Sequence, residues 1–202
     1  YRMPGEGHKE GADAPLADAQ RAIRTLRANA EKWHINPQRI GIMGFSAGGH
    51  VAASLGTRFA QSVYPATDAI DNVSARPDFM VLMYPVISMQ ADIAHAGSRK
   101  QLIGEQPTEA QVLRYSPEKQ VTAQTPPTFL VHAVDDPSVS VDNSLVMFSA
   151  LREKQIPVEM HLFEKGKHGF GLRGTKGLPA AAWPQLLDNW LRVLPVNNEQ
   201  PK

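Results

Sequence analysis

Three residue types that together can cleave an ester or amide bond stand in order along this chain: a serine, an aspartate and a histidine. Ser46 lies in GFSAGGH, residues 44–50, between Gly44 and Gly48. A serine hydroxyl is a weak nucleophile at neutral pH, so it needs an imidazole to take its proton and an acid to orient that imidazole. His168 in EKGKHGF supplies the base, and Asp135 or Asp136 in VHAVDDP supplies the acid. The G-x-S-x-G pattern alone is weak. With glycine at roughly 7% of residues it arises by chance in on the order of one chain in twenty. The elements around it must decide.

RIGIMGF, residues 39–45, is a short apolar run that ends at the serine, and the small-residue stretch from Ser46 to Phe59 follows it directly. This predicts a strand turning sharply into a helix. Glycines on either side of Ser46 would remove the β-carbons that collide at such a turn. The helix would then aim its free N–H groups and positive dipole end at the spot where Ser46 reacts, so the Ala47 N–H is the expected oxyanion donor.

Further strands are predicted at Phe79 to Tyr84, Thr128 to Ala133 and Val158 to Phe163. Each is near-continuously apolar or punctuated by one or two polar residues, as strands buried on both faces of a parallel sheet are. Asp135 and Asp136 follow the third strand at its carboxyl end, where such sheets build their sites. His168 follows the fourth.

Helices are predicted from Gly11 to Trp33, with Leu16, Ala19, Ile23, Leu26, Ala30 and Trp33 on the buried stripe and Arg21 and Arg24 on a solvated face. Others run from Val141 to Lys154, with Leu145, Phe148 and Leu151 inward, and from Trp183 to Leu194. Strand and helix alternate, which argues an α/β fold with a mostly parallel sheet flanked by helices. The connection from Pro85 to Pro127 is too long to be structureless inside a compact domain. TEAQ, with Thr108, reads as a capping box, and SPEK as a Ser116 cap before Pro117, so a small lid of short helices is expected there. Ile87, Met89 and Leu102 are candidates to shape an acyl pocket. Residues 1–194 read as a single domain and residues 195–202 as a frayed tail.

A formal net charge of +1 over 202 residues, without long runs of like charge, gives no reason to expect nucleic acid or an anionic membrane as partner. The longest apolar run, Phe79 to Ile87, is about half the ~20 residues that span a bilayer. With no cysteine, disulfides and thiolate metal sites are excluded and the redox compartment stays open. A periplasmic or secreted protein is favoured, with any signal peptide lying outside this chain. GFGLRG, residues 169–174, matches the dinucleotide fingerprint G-x-G-x-x-G but follows no strand-to-helix turn, so no nucleotide is expected. The scattered histidines predict neither metal nor cofactor. His34, His50 and His161 read as packing or surface residues, and His95 and His132 stay open as residues lining the site.

The stretches YRMPGEGH, DAQRAIRTLRANAEKWHINPQRIGIMGFSAGGH, YPVISM, PPTFLVHAVDDPSVSVDNSL and VEMHLFEKGKHGFGL resemble the bacterial esterase branch of the α/β-hydrolases, the carbohydrate acetyl esterases and xylan-esterase-like enzymes. The likeness runs from Tyr1 to about Leu172. It implies Ser46 as nucleophile, His168 as base and Asp136 as acid, since the family's H-x-x-x-D pattern counts on from His132. Ser, acid, His is also the chain order of that fold. The resemblance further implies a short-chain acyl ester as substrate, with acetylated xylan or a related saccharide foremost.

Members of this branch carry an earlier glycine-rich segment that supplies a second oxyanion N–H, and nothing here matches it. YRMPG resembles the end of the strand after that segment. Two other readings follow. One is an incomplete hydrolase domain that assembles with a partner or as a homo-oligomer. The other is a prolyl-oligopeptidase-type serine peptidase, for whose accessory domain this chain has no room.

Overall fold

Four apolar segments form the sheet, and the spacing of large side chains along them decides what covers each face. In the computed structural model, which describes residues 1–4 and 11–194, these are β1 (Ile42–Phe45), β2 (Met80–Met83), β3 (Thr128–Ala133) and β4 (Val158–Phe163). They pair in the order β1-β2-β3-β4, all parallel, with Gly44 beside Leu82, Leu82 beside Leu130 and Leu130 beside Met160. The tail from Pro195 and residues 5–8 of YRMPGEGH lie outside the described residues.

Side chains two apart on a strand share a face. Met80, Leu82 and Leu130 therefore pack with Ala52 and Ala53 of α2 (Ala47–Arg58) and Met147 and Leu151 of α5 (Asp142–Glu153). Val81, Met83, Phe129 and Val131 face the other way, onto Trp183 and Trp190 of α6 (Trp183–Val193). Every residue of β2 and β3 is buried, as expected. Those of β1 and β4 are not, with Met43 and Phe45 each 40% exposed. These two strands border the sheet among the described residues, so one lateral neighbour covers each.

The first helix is shorter than its apolar stripe predicts. α1 (Ala14–Ala28) buries Leu16 and Ile23 against Val51 and Leu55, but the chain leaves the helix at Asn29. Asn29 is the C-cap, at φ −105° and ψ 14°, and its side-chain amide donates to the Thr25 carbonyl that its own N–H also uses. Arg27 holds the departing chain through the carbonyls of Pro37, Ser74 and Arg76 and the carboxylate of Asp78. Leu26 and Trp33 are consequently exposed, not core. Arg21 and Arg24 are not a free solvated face either. Arg21 bridges Asp68 and Asp71, and Arg24 donates to Tyr64 and the Val73 carbonyl, which ties down residues 64–73.

The connection after β2 contains α3 (Ala96–Ile103), α4 (Glu109–Arg114) and a 3-10 turn at Pro117–Lys119. Thr108 and Gln111 make the capping box. Ser116 does not cap; its hydroxyl donates to the Val112 carbonyl and accepts the Met89 N–H, pinning this segment to the exit of β2. On α5 the inward face is turned from the expected stripe. Met147 and Leu151 reach the core, Phe148 is half-buried, and Leu145 points outward. Tyr1–Pro4 are in no strand; Asp18 accepts from Arg2, and Gln101 donates to the Pro4 carbonyl.

Candidate active site

β1 delivers Ser46 to the carboxyl end of the sheet with φ 54° and ψ −122°, a region that residues with a β-carbon rarely occupy. Three backbone bonds hold that geometry. The Ser46 N–H donates to Met83 O at 3.0 Å, and its carbonyl accepts from Gly49 N at 2.9 Å and Val86 N at 3.0 Å. A β-carbon at Gly44 would sit on the Gly48 carbonyl, so glycine is required there. The second requirement falls on Gly49, whose β-carbon would strike Pro85, and not on Gly48, which faces open space. Ser46 is the N-cap of α2 but makes no capping bond, and its hydroxyl is directed elsewhere.

That hydroxyl lies 2.8 Å from His168 Nε2, and His168 Nδ1 lies 2.7 Å from Asp136 Oδ2. A carboxylate only accepts, so Nδ1 carries the proton and Nε2 is left to accept from Ser46. The Asp136 carboxylate is fully buried, and its Oδ1 accepts the N–H groups of Ser138 at 2.8 Å and Val139 at 2.9 Å. Burial pushes its pKa up. The Val139 N–H, His168 and the Ser138 N–H outweigh that, and the group stays below the ordinary carboxylate range.

The neighbouring Asp135 does a different job. Its Oδ1 accepts the backbone N–H groups of Gly166 at 2.9 Å and Lys167 at 2.8 Å, so it shapes the loop that presents His168. Tyr84, at φ 36° where β2 ends, sets its ring edge-on to the His168 imidazole, 5.2 Å between centroids. Its hydroxyl accepts the Gly171 N–H at 3.3 Å. GFGLRG is thus part of the histidine loop, with Gly169 and Gly171 at positive φ and Trp183 Nε1 donating to the Gly171 carbonyl.

Ala47, the residue after Ser46, lines a cavity of about 230 Å³ between α1, α2 and the segment that carries α3 and α4. Its walls include Leu16, Val51, Met89 and Leu102. Ile87, grouped with Met89 and Leu102 as a pocket candidate, lies in the sheet core instead. His50, one turn beyond Ser46, also lines the cavity. Its Nε2 donates to the Tyr115 carbonyl at 2.8 Å, and burial lowers its pKa to about 4. His95 lines the cavity and caps α3. His132 is not in the cavity; it is buried behind Asp136. Arg58 and Arg114 both bond to Asp13, which clamps α4 to the body over the cavity.

His50 and Tyr84 are the residues that sequence reasoning missed as parts of the site. The four-residue step from Ser46 put His50 on the same helical face, and Tyr84 stands at the carboxyl end of a central strand, so each had a positional signal. No group of three or more potential metal ligands occurs among the described residues, and no described helix is long and apolar enough to cross a membrane.

Parallel strands flanked by helices, with a strained serine at a strand-to-helix turn, define an α/β-hydrolase domain. The chain belongs to the BD-FAE family, whose model matches residues 1–151. It is 42% identical over 155 residues to endo-1,4-beta-xylanase B of Butyrivibrio fibrisolvens, covering 77% of this chain and 24% of that protein. It is 34% identical over 203 aligned positions to the acetylxylan esterase of Xylanibacter ruminicola, covering 98% of this chain and 39% of that one. Its fold superposes with a TM-score of 0.83 on the acetyl ester-xyloside bifunctional hydrolase of Caldicellulosiruptor lactoaceticus, at 46% identity over 89% of this chain and 65% of that one. The chain therefore spans less than two thirds of each of these relatives.

Proposed function

We propose that this domain is a serine carboxylesterase that removes short acyl groups, acetyl foremost, from xylan or a related saccharide through an acyl-enzyme. The observation that carries the reading is the continuous chain from Ser46 Oγ through His168 to Asp136, at 2.8 and 2.7 Å. In it, Ser46 attacks the ester carbonyl while His168 Nε2 takes the hydroxyl proton. The Ala47 N–H, at the first residue of α2, meets the developing oxyanion. His168 then gives the proton to the departing sugar hydroxyl, and Asp136 stabilises the imidazolium formed in between. Water repeats the sequence on the acyl-enzyme, releasing the acid. The cavity beside Ala47 receives the acyl side of the ester.

The saccharide part rests on the relatives, two of which are named for acetyl ester or acetylxylan hydrolysis. Incubation of the purified protein with acetylated xylan tests it. Release of acetate, lost in Ser46→Ala, is expected. Activity confined to lipid-like esters would contradict the saccharide assignment while leaving the esterase chemistry in place.

A further inference from the structure

Behind the Asp136 carboxylate lies a second imidazole that the reaction above does not use. His132, the fifth residue of β3, is fully buried. Its Nε2 lies 3.0 Å from the Val139 carbonyl and 3.3 Å from Asp136 Oδ2, and its Nδ1 lies 2.8 Å from the Ser144 hydroxyl of α5. Both groups facing Nε2 only accept hydrogen bonds, so Nε2 must carry the proton. Nδ1 is then the acceptor, and Ser144 donates to it. Every polar atom of the ring is satisfied, and one tautomer alone satisfies them.

We propose that His132 is a positioning residue for the reaction: a neutral N–H donor, locked in its tautomer by Ser144, that fixes the plane of the Asp136 carboxylate against His168. His132 donates its Nε2–H to the Val139 carbonyl at 3.0 Å, the Val139 N–H donates in turn to Asp136 Oδ1 at 2.9 Å, and the ring lies 3.3 Å from Oδ2, so it braces the turn that holds the carboxylate. A carboxylate so held cannot rotate away when His168 becomes charged, so the ordering cost is met before the reaction starts. Neutrality matters to this role. A cation 3.3 Å from Asp136 would compete with the imidazolium for its charge, whereas a neutral donor orients the carboxylate and leaves the charge available. The groups that face the ring are Asp136, the Val139 carbonyl, Ser144 and, across the carboxylate, His168; burial favours its neutral form against the pull of Asp136.

The proposal rests on the reading of Ser46, His168 and Asp136 as the reacting set, and its test keeps the two apart. Long-range proton–nitrogen NMR of the folded protein should find His132 as the neutral Nε2–H tautomer at pH 7, a result that needs no turnover. The Nδ1–H tautomer or a charged ring would overturn the proposal whatever the enzyme does. Kinetics with p-nitrophenyl acetate then compare His132→Leu, His132→Gln and Ser144→Ala. Removal of the donor in His132→Leu leaves the Val139 carbonyl unpaired and should lower kcat about tenfold, the size of one buried hydrogen bond, with KM within about twofold. His132→Gln returns an N–H near Nε2 and should recover most of the loss. Ser144→Ala, which keeps the ring, should lower kcat about two- to threefold.

The acidic limb of kcat/KM should move to higher pH in His132→Leu, because a carboxylate whose bond from the Val139 N–H is loosened holds the protonated base more tightly. A role in packing alone would leave that limb in place. Unchanged kcat and pH profile in a folded Leu variant, or equal losses in the Leu and Gln variants, would overturn the proposal. If His132→Leu does not fold, Ser144→Ala and His132→Gln carry the kinetic comparison, and full wild-type loss in the Gln variant then counts against it. Failure of the underlying reading has its own signature, which is turnover that survives Ser46→Ala.

Discussion

On one side of Ser46 stand His168 and Asp136, whose hydrogen-bonding groups are paired at 2.7 to 2.9 Å by a histidine loop, a strand exit and a turn. Next to Ala47 lies the cavity, whose walls are mostly apolar and come from α1, α2, the exit of β2 and α3. The first side depends on direction, because a proton must travel along a line of atoms. The second depends on volume, which many side chains could supply. Substitutions should therefore be unforgiving on the first side and graded on the second.

The largest contrast should appear between two adjacent aspartates. Asp136→Asn keeps the shape but loses the charge and the tautomer control, and kcat should fall on the order of 10³ to 10⁴. Asp135→Asn, which only weakens the support of Gly166 and Lys167, should cost about tenfold or less. Equal losses at the two positions would break the distinction. Steady-state kinetics on p-nitrophenyl acetate measure both.

The cavity side supplies a pH test of stability. In the unfolded chain His50 takes up a proton below about 6.5, whereas in the folded protein it resists until about 4. Between those values the unfolded state binds more protons, so His50 contributes stability that is present above about pH 6.5 and lost as the pH falls towards 4. The loss from this residue should amount to up to roughly 3 kcal/mol. Urea unfolding across that window should show the slope in the wild type and a flatter one in His50→Gln, which keeps an N–H for the Tyr115 carbonyl. Identical slopes would show that His50 is not what makes the fold sensitive to acid.

A smaller effect separates the glycines after Ser46. Gly49→Ala drives a β-carbon into Pro85 and should destabilise by about 1 to 3 kcal/mol, and it should lower activity because the Ser46 turn hangs on the Gly49 N–H. Gly48→Ala meets open space on a helix and should be neutral or stabilising by up to about 1 kcal/mol. Smallest of all, Leu102→Phe should narrow the cavity and reduce kcat/KM several-fold for butyryl over acetyl esters, about 1 kcal/mol of discrimination.

The same contrast explains what could be read from the sequence. That Ser46, Asp136 and His168 come together was legible because strand ends in a parallel sheet are where such groups stand. β3 and β4 were legible to the residue, being six-residue runs broken by only two polar residues each, opened by Pro127 and Pro157 and followed by the charged Asp135 and Glu164. The cavity was not. Ile87 and Met89 are two residues apart on the same apolar exit, and nothing in their types says that one enters the core and the other the cavity wall. The end of α1 was missed because the decisive interactions, from Arg27 to the carbonyls of residues 37, 74 and 76, join positions far apart in sequence. Gly48 and Gly49 look alike in sequence, and only the path of Pro85 tells them apart.

The central claim is that Ser46 carries the acyl group, and pre-steady-state hydrolysis of p-nitrophenyl acetate tests it most directly. A burst of p-nitrophenol close to one equivalent per chain, absent in Ser46→Ala and followed by turnover that collapses in His168→Ala, is the result expected. A folded protein that shows no burst while turning over at a rate Ser46→Ala leaves untouched would contradict it.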